Sequence, residues 1–122
     1  MNAEISFSTE KLDDDKKVAI FSFFGELDEM TGDDIFQKIN AFFEKTDEKY
    51  FIFHLKNLEY LNSKSIGQMI DLYRKIIGRG GKLVLAEISE NVLDILDLVG
   101  VTRVVETAEN LEAAKVALLE SE

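Results

Sequence analysis

The sequence predicts one α/β domain over residues 1–122, built on a mixed sheet of about five strands with a parallel core and about four helices. Its 122 residues, 46% of them hydrophobic, have the size and composition of one globular domain. Short β-branched and aromatic runs alternate with longer segments whose apolar residues recur at helical spacing. No proline or linker-like tract interrupts this alternation. Strands that alternate with helices imply right-handed crossovers and a largely parallel sheet, whose strand order stays open at this point.

The first third of the chain predicts two strands and a helix. Residues 18–24 (VAIFSFF) are a β-branched and aromatic run typical of a buried strand, and residues 5–8 can pair with it as an edge strand. Apolar residues at helical spacing then predict a helix over residues 31–44. Thr31 stands at its start in an N-capping arrangement.

The middle of the chain predicts a strand, a loop, a helix and another strand. Residues 50–55 (YFIFHL) are a short apolar run, and a helical face follows the irregular segment 56–63. The diglycine at 80–81 ends that helix, and residues 82–88 (KLVLAEI) predict the next strand. The apolar positions of this helix are Ile66, Met69, Ile70, Tyr73, Ile76 and Ile77.

The last third predicts a helix, a strand and a final helix. Ser89 is placed to cap a helix that Gly100 ends. Residues 101–106 (VTRVVE) predict the last strand, and apolar positions between Leu111 and Leu118 predict the last helix. The predicted order is therefore an initial strand followed by four strand–helix units.

Residue content excludes several classes of protein. Cysteine is absent and His54 is the only histidine, so disulfides, thiolate catalysis and Cys- or His-rich zinc sites are excluded. The net charge of −10 disfavours direct nucleic-acid binding. No apolar run approaches the ~20 residues that span a bilayer, and the first residues lack the basic and apolar regions of an export signal. We therefore expect a protein that is neither exported nor membrane-bound.

Residues 57–82 are locally basic, with five Lys or Arg against two Glu or Asp. Two interpretations stay open. Arg74, Lys75 and Arg79 lie in the last turns of the predicted helix, where cations complement the helix dipole. Alternatively, the segment meets an acidic or phosphate-bearing partner.

Functional groups of parallel α/β sheets collect beyond the carboxyl ends of the strands. This edge corresponds to residues 25–31, 56–65, 87–91 and 106–109. Glu26 and Asp28 form a pair of carboxylates there, but no second base or metal ligand is evident nearby. The pair is therefore interpreted as a solvated acidic turn rather than as a catalytic site.

A His54–Ser63 catalytic dyad is conceivable, because His54 precedes Ser63 by nine residues. A hydrolase would also need an oxyanion hole and a G-x-S-x-G elbow, and that elbow is absent around Ser63. The phosphate-binding motifs G-x-G-x-x-G and G-x-x-x-x-G-K-[ST] are absent too. The sequence thus predicts a hydrogen-bonded histidine at the end of the sheet, with no catalytic residue, metal ligand or cofactor site.

The segment 60–67 (YLNSKSIG) puts two hydroxyls and a lysine at the start of a predicted helix. Ser63 or Ser65 can act simply as the N-cap of that helix. A phosphoryl group on such a serine would carry about −1.5 to −2 charges and face free N–H groups and the positive end of the helix dipole. A covalent charge switch is therefore compatible with the helix.

Four segments in this order resemble the STAS family, in particular its stand-alone anti-sigma-factor antagonists. They are the tetrapeptide GELD at 25–28, NLEYLNSKSIGQMI at 57–70, GGKLVL at 80–85, and Ile88-Ser89 followed by Val92, Leu96 and Gly100. The second segment corresponds to the family pattern D-S-[SAT]-G-[LIV]-G. The resemblance extends over about residues 18–117, nearly the whole chain.

The resemblance implies a cytoplasmic partner-switching protein rather than an enzyme. Ser63 falls on the serine that an anti-sigma factor with serine kinase activity phosphorylates, with Ser65 as a weaker candidate. The unphosphorylated form binds that anti-sigma factor and frees the sigma factor. The phosphorylated form is released until a PP2C-type phosphatase restores it.

The partner-binding surface is expected around the start of the helix that begins near Ser63. Gly67 and Gln68 would allow close approach, and Lys64 and Arg74 would steer an acidic partner. The complete predicted surface consists of Asp28, Asn62, Ser63, Lys64, Ile66, Gly67, Gln68 and Arg74.

This sequence departs from the family pattern at Asn62 (usually Asp), Lys64 (usually a small residue) and Ser65 (usually Gly). An alternative function therefore stays open, that of an unphosphorylated STAS adaptor in another regulatory or transport assembly. A phosphoaspartate receiver is disfavoured, because its acidic pair, central aspartate and late lysine have no counterparts at the ends of the predicted strands.

Overall fold

The computed structural model describes residues 2–120, so residues 1, 121 and 122 of the predicted domain lie outside the described part. The strands are β1 (Ala3–Lys11), β2 (Lys17–Leu27), β3 (Tyr50–Leu61), β4 (Lys82–Ala86) and β5 (Glu106–Ala108). The helices are α1 (Gly32–Lys45), α2 (Ser63–Gly78), α3 (Glu90–Leu98) and α4 (Leu111–Leu119), with a 3₁₀ turn at Val101–Arg103. Within these residues no helix is both long enough and apolar enough to cross a bilayer.

The five strands form one mixed sheet in the order β1-β2-β3-β4-β5. β1 pairs antiparallel with β2, and the remaining pairs are parallel. The predicted edge strand, mixed sheet, parallel core and four helices are thereby confirmed over the described residues.

The alternation of side chains along the strands produces two apolar layers. On one face, Phe21, Phe23, Phe51 and Phe53 pack with the apolar sides of α1, α2 and α3. On the other face, α4 covers a second cluster of strand residues. Because the inner strands are buried on both faces, they read in the sequence as continuous apolar runs. The strand residues under α4 are Val18, Ile20, Tyr50, Ile52, Val84 and Ala86.

β3 is longer than predicted and ends at Leu61 rather than at residue 55. Its second half pairs with the end of β2, where the register shifts, so that Leu58 lies opposite Gly25 and Leu61 opposite Leu27. Leu58 and Leu61 are buried, but two exposed residues in succession, Lys56 and Asn57, interrupt the alternation. That irregularity made the segment resemble a loop.

The prediction of a strand over residues 101–106 is wrong. Gly100 adopts a positive φ of 83°, and the chain then forms the 3₁₀ turn at Val101–Arg103. Val101 and Val105 are both buried, whereas Arg103, which would share their face in a strand, is exposed. The strand follows at Glu106–Ala108, and β4 likewise stops at Ala86, two residues before its predicted end.

Candidate functional site

The carboxyl edge of the sheet brings together the turn before α1 and the start of α2. The backbone N–H of Asn62 donates to the carbonyl oxygen of Leu27 over 2.9 Å, which joins the two connections. Asp28 and Ser63, both predicted site residues, therefore lie on the same edge of the molecule.

Asn62, rather than a serine, caps α2. Its backbone is extended, and its Oδ1 accepts a hydrogen bond of 2.9 Å from the backbone N–H of Ser65. The prediction that Ser63 or Ser65 caps the helix is therefore wrong, because an asparagine one residue earlier already satisfies the free amide. Ser63 becomes the first residue of α2, and it is exposed.

Ser65 points into the protein. Its side chain is 1% exposed, and its hydroxyl has no hydrogen-bond partner among residues 2–120. It lies against Gly32 of α1, where an added Cβ would overlap Ser65 Oγ. Of the two serines considered for phosphorylation, only Ser63 is accessible in this conformation.

Lys64 is held by α1. Its Nζ lies 2.9 Å from Asp33 Oδ2, and the other oxygen of that carboxylate accepts a 3.0 Å hydrogen bond from Gln68 Nε2. The Lys64 hydrogen bond is the main cause that lowers the pKa of Asp33, with a smaller effect from Gln68. Sequence reasoning missed Asp33, because nothing local distinguishes it from the other acidic residues at the start of a helix.

Asp28 organises the turn before α1. Its Oδ1 accepts hydrogen bonds from the backbone N–H groups of Met30 and Thr31, at 2.9 and 3.0 Å. These two bonds, Met30 first, lower the pKa of Asp28. The predicted acidic turn is therefore held by one of its own carboxylates.

The expected side-chain cap by Thr31 is not formed. The Thr31 hydroxyl instead donates to the carbonyl oxygen of Glu26 over 2.7 Å and accepts from the Asp28 N–H over 3.0 Å. The hydroxyl is therefore engaged within the turn and does not accept from the first amides of α1.

His54 lies away from Ser63. Its Nε2 is 3.0 Å from Glu87 Oε1, and its Nδ1 is 3.5 Å from Ser22 Oγ. The His54 hydrogen bond lowers the pKa of Glu87, which is also 3.8 Å from Lys56 Nζ. The His54–Ser63 dyad is thus not assembled, whereas the predicted hydrogen-bonded histidine is confirmed.

The other predicted surface residues follow along α2. Gly67 is exposed, and a Cβ there would meet no atom within 4 Å. Ile66 is half-buried and lines a groove of about 230 Å³ with Arg74. Arg74 also pairs with Asp71 over 3.5 Å, and it lies about 16 Å along the helix from Ser63. The structure therefore groups Asp28 and Asn62–Gln68 but leaves Arg74 at a distance.

The chain is similar in sequence and in structure to known proteins. An anti-sigma F factor antagonist of Paenibacillus polymyxa is 25% identical over 93 residues, which are 76% of this chain and 80% of that protein. The crystal structure of an anti-sigma factor antagonist from Mycobacterium paratuberculosis gives a TM-score of 0.78 at 21% identity and covers 96% of each chain.

The anti-sigma factor antagonist SpoIIAA has a similar structure in two forms. Its unphosphorylated form gives a TM-score of 0.73 at 20% identity and covers 96% of this chain and 100% of that one. The phosphorylated form of the Bacillus protein gives 0.65 at 20% identity, with 92% and 99% covered. At these identities the solved structures show a common fold. The model of the STAS domain matches residues 8–114, most of the 122 residues, and this protein therefore belongs to the STAS domain family.

Proposed function

We propose that this protein is an anti-sigma-factor antagonist that works by partner switching. It binds a kinase-type anti-sigma factor while Ser63 is unmodified and is released when Ser63 is phosphorylated. The observation that carries this proposal is the exposure of Ser63 as the first residue of α2, beside a neutral cap. The names of the relatives, which are anti-sigma factor antagonists, support the same assignment.

The start of α2 suits a phosphoryl group. Phosphoserine carries about −1.5 to −2 charges, and the first amides of a helix together with its dipole stabilise an anion there. The first turn of α2 contains no acidic residue that would already use this stabilisation. Phosphorylation is therefore expected to leave the fold intact.

Release follows from burial of the added charge. The patch formed by Asn62, Ser63, Lys64, Gly67 and Gln68 offers a partner a small contact surface whose one cation, Lys64, is already paired with Asp33. A surface packed against a neutral hydroxyl has no partner for a phosphate, and burying an uncompensated charge costs roughly 3–5 kcal/mol. A PP2C-type phosphatase would restore the binding form.

The protein itself is expected to catalyse nothing. His54 is the sole imidazole of the chain, and it contacts Ser22 and Glu87 rather than Ser63. The imidazole is therefore not placed to act as a base for Ser63. The phosphoryl group comes from the partner kinase.

Incubation with ATP and the candidate anti-sigma kinase tests the proposal, with intact mass and peptide mapping as the readout. We expect one phosphoryl group on Ser63 in the wild type and in Ser65→Ala, and none in Ser63→Ala. Modification of Ser65 alone would refute the assignment of the switch residue. Tight binding to the kinase without any phosphoryl transfer would favour the adaptor function instead.

A further inference from the structure

Lys64 follows the candidate switch serine directly, and its charge is aimed at a neighbouring helix. Its ammonium lies 2.9 Å from Asp33 Oδ2, although its side chain is 62% exposed and that of Asp33 is 48% exposed. A lysine next to a phosphoserine would otherwise be free to fold back onto the phosphate. The position of Asp33 therefore bears on how much charge a phosphate at Ser63 can present.

The location of Asp33 is fixed by close packing beneath it. Gly32 and Ser65 touch where α1 meets α2, with no room for a Cβ on the glycine. One turn further along α2, Gln68 Nε2 donates to Asp33 Oδ1 over 3.0 Å. One oxygen of the Asp33 carboxylate is thus held by Gln68, and the other accepts from Lys64.

The contact between Asp33 and Lys64 is exchangeable. Exposed ion pairs are weak because water and salt screen both charges. A phosphoryl dianion on Ser63 would compete with the carboxylate for the single ammonium, which a flexible four-carbon stem carries. The Lys64 charge is then shared between an acid on α1 and a phosphate on α2.

We propose that Asp33 is a positioning residue that keeps Lys64 from neutralising a phosphoryl group on Ser63. By retaining the ammonium on the α1 side, Asp33 leaves the phosphate with more of its negative charge. The release of the partner depends on that charge, so Asp33 offsets the presence of a lysine next to the switch serine. The biological role rests on the proposed function, whereas the competition for Lys64 is a property of the phosphorylated chain itself.

Phosphorus NMR of protein with phosphoserine installed translationally at position 63 tests this without any kinase. The readout is the second pKa of the phosphate in wild type, Lys64→Gln, Asp33→Asn and the double variant. We expect Asp33→Asn to lower that pKa by about 0.2–0.7 unit, the size of an exposed charge interaction. Lys64→Gln should raise it, and by more in the Asp33→Asn background than in the wild type.

Asp34→Asn is the matched control, because it removes the same charge one residue away from Asp33. The Asp34 carboxylate pairs with Lys38, over 3.1 Å, instead of with Lys64. It should leave the effect of Lys64→Gln unchanged. The inference fails if the effects of Asp33→Asn and Lys64→Gln add without coupling, or if Asp34→Asn couples to Lys64 equally. A kinase that ignores Ser63 would refute the proposed function and leave this titration result standing.

A second measurement uses the unmodified protein. Because the Lys64 hydrogen bond is the main cause of the lowered pKa of Asp33, Lys64→Gln should raise that pKa, as followed by carboxyl carbon NMR. Phosphoserine at position 63 should raise it as well, since it competes for Lys64 and adds a negative neighbour. If the pKa of Asp33 stays the same after both changes, the inference is wrong.

Discussion

The starts of α1 and α2 lie on the same edge of the sheet but are organised in opposite ways. Two carboxylates, Asp33 and Asp34, occupy the first turn of α1, and the turn before it is closed by Asp28. The start of α2 has a neutral asparagine cap and no acidic residue in its first turn. One helix start thus has its positive dipole end already offset by the protein's own carboxylates, whereas the other leaves it available to an added anion.

The largest expected effect comes from a negative charge placed at position 63, at the start of α2. Ser63→Asp should leave the melting temperature near that of the wild type, because the charge lies at a helix N-terminus. Affinity for the proposed kinase partner should fall on the order of a hundredfold to a few thousandfold, as expected for an uncompensated buried charge. Calorimetric titration measures the loss.

Ser8→Asp is the control for that experiment, since Ser8 is an exposed serine on β1. It adds the same charge far from α2 and should bind like the wild type. Equal affinity for Ser63→Asp and Ser8→Asp would remove the distinction between the two helix starts.

The contact between the two helix starts can be broken at Gly32. Gly32→Ala would drive a Cβ into Ser65 Oγ, so the free energy of unfolding should drop by about 1–3 kcal/mol. Adding Ser65→Ala removes the obstructing atom and should recover most of the loss. Chemical denaturation of both variants measures the changes.

Gly67→Ala provides the matched control on α2, where a Cβ would meet nothing within 4 Å. A helical glycine replaced by alanine without a clash should stabilise the protein by about 0.5–1 kcal/mol. If Gly32→Ala and Gly67→Ala had the same sign, the close contact between α1 and α2 would be unsupported.

Removing the neutral cap of α2 should have a smaller effect on stability. Asn62→Ala removes the acceptor for the Ser65 N–H and should lower the free energy of unfolding by about 1 kcal/mol. Asn110→Ala removes the same type of cap from α4, where Oδ1 accepts from the Ala113 N–H over 2.8 Å, and should cost about as much. Only Asn62→Ala should also weaken partner binding, and equal binding by both variants would place the partner elsewhere.

The smallest expected effect is the loss of stability in acid that comes from Asp28, in the turn before α1. The pKa of Asp28 lies below its ordinary value of 3.8, so its contribution to stability is complete above that pH and is lost as pH falls through the lower folded-state pKa. Asp28→Asn should therefore flatten the decline of the urea midpoint between about pH 5 and pH 2. Asp34→Asn serves as the comparison, and an identical pH slope in wild type and Asp28→Asn would contradict the turn assignment.

Local patterns in the sequence were sufficient for the order of the strands and α-helices and for a serine at the start of a helix. They failed where several residues compete for one role. Asn62, Ser63 and Ser65 are all good caps, and only the backbone conformation decides among them. Val101 and Val105 have strand-forming side chains, but Gly100 turns the chain so that Val101 enters the core from a 3₁₀ turn and Val105 from the bend that follows it.

Contacts between distant segments left no local signal. Asp33 and Lys64 are 31 residues apart, and the contact exists only because Gly32 lets α1 approach Ser65. The second half of β3 was missed for a similar reason, since its strand character depends on pairing with β2 across a register shift. Tertiary context decided these features.

The spatial order of the strands equals their order along the chain. As the ribosome delivers the polypeptide, each new strand finds its neighbour already made. Each of the three parallel pairings must still close a crossover that contains a helix or a turn, which slows folding. The face that carries Ile20, Ile52 and Val84 must wait for α4. At a synthesis rate of 5–20 residues per second, the stretch from Ala86 to Leu119 takes about 2–7 s. During that interval the nascent chain displays an uncovered apolar sheet, and there its greatest risk of aggregation lies.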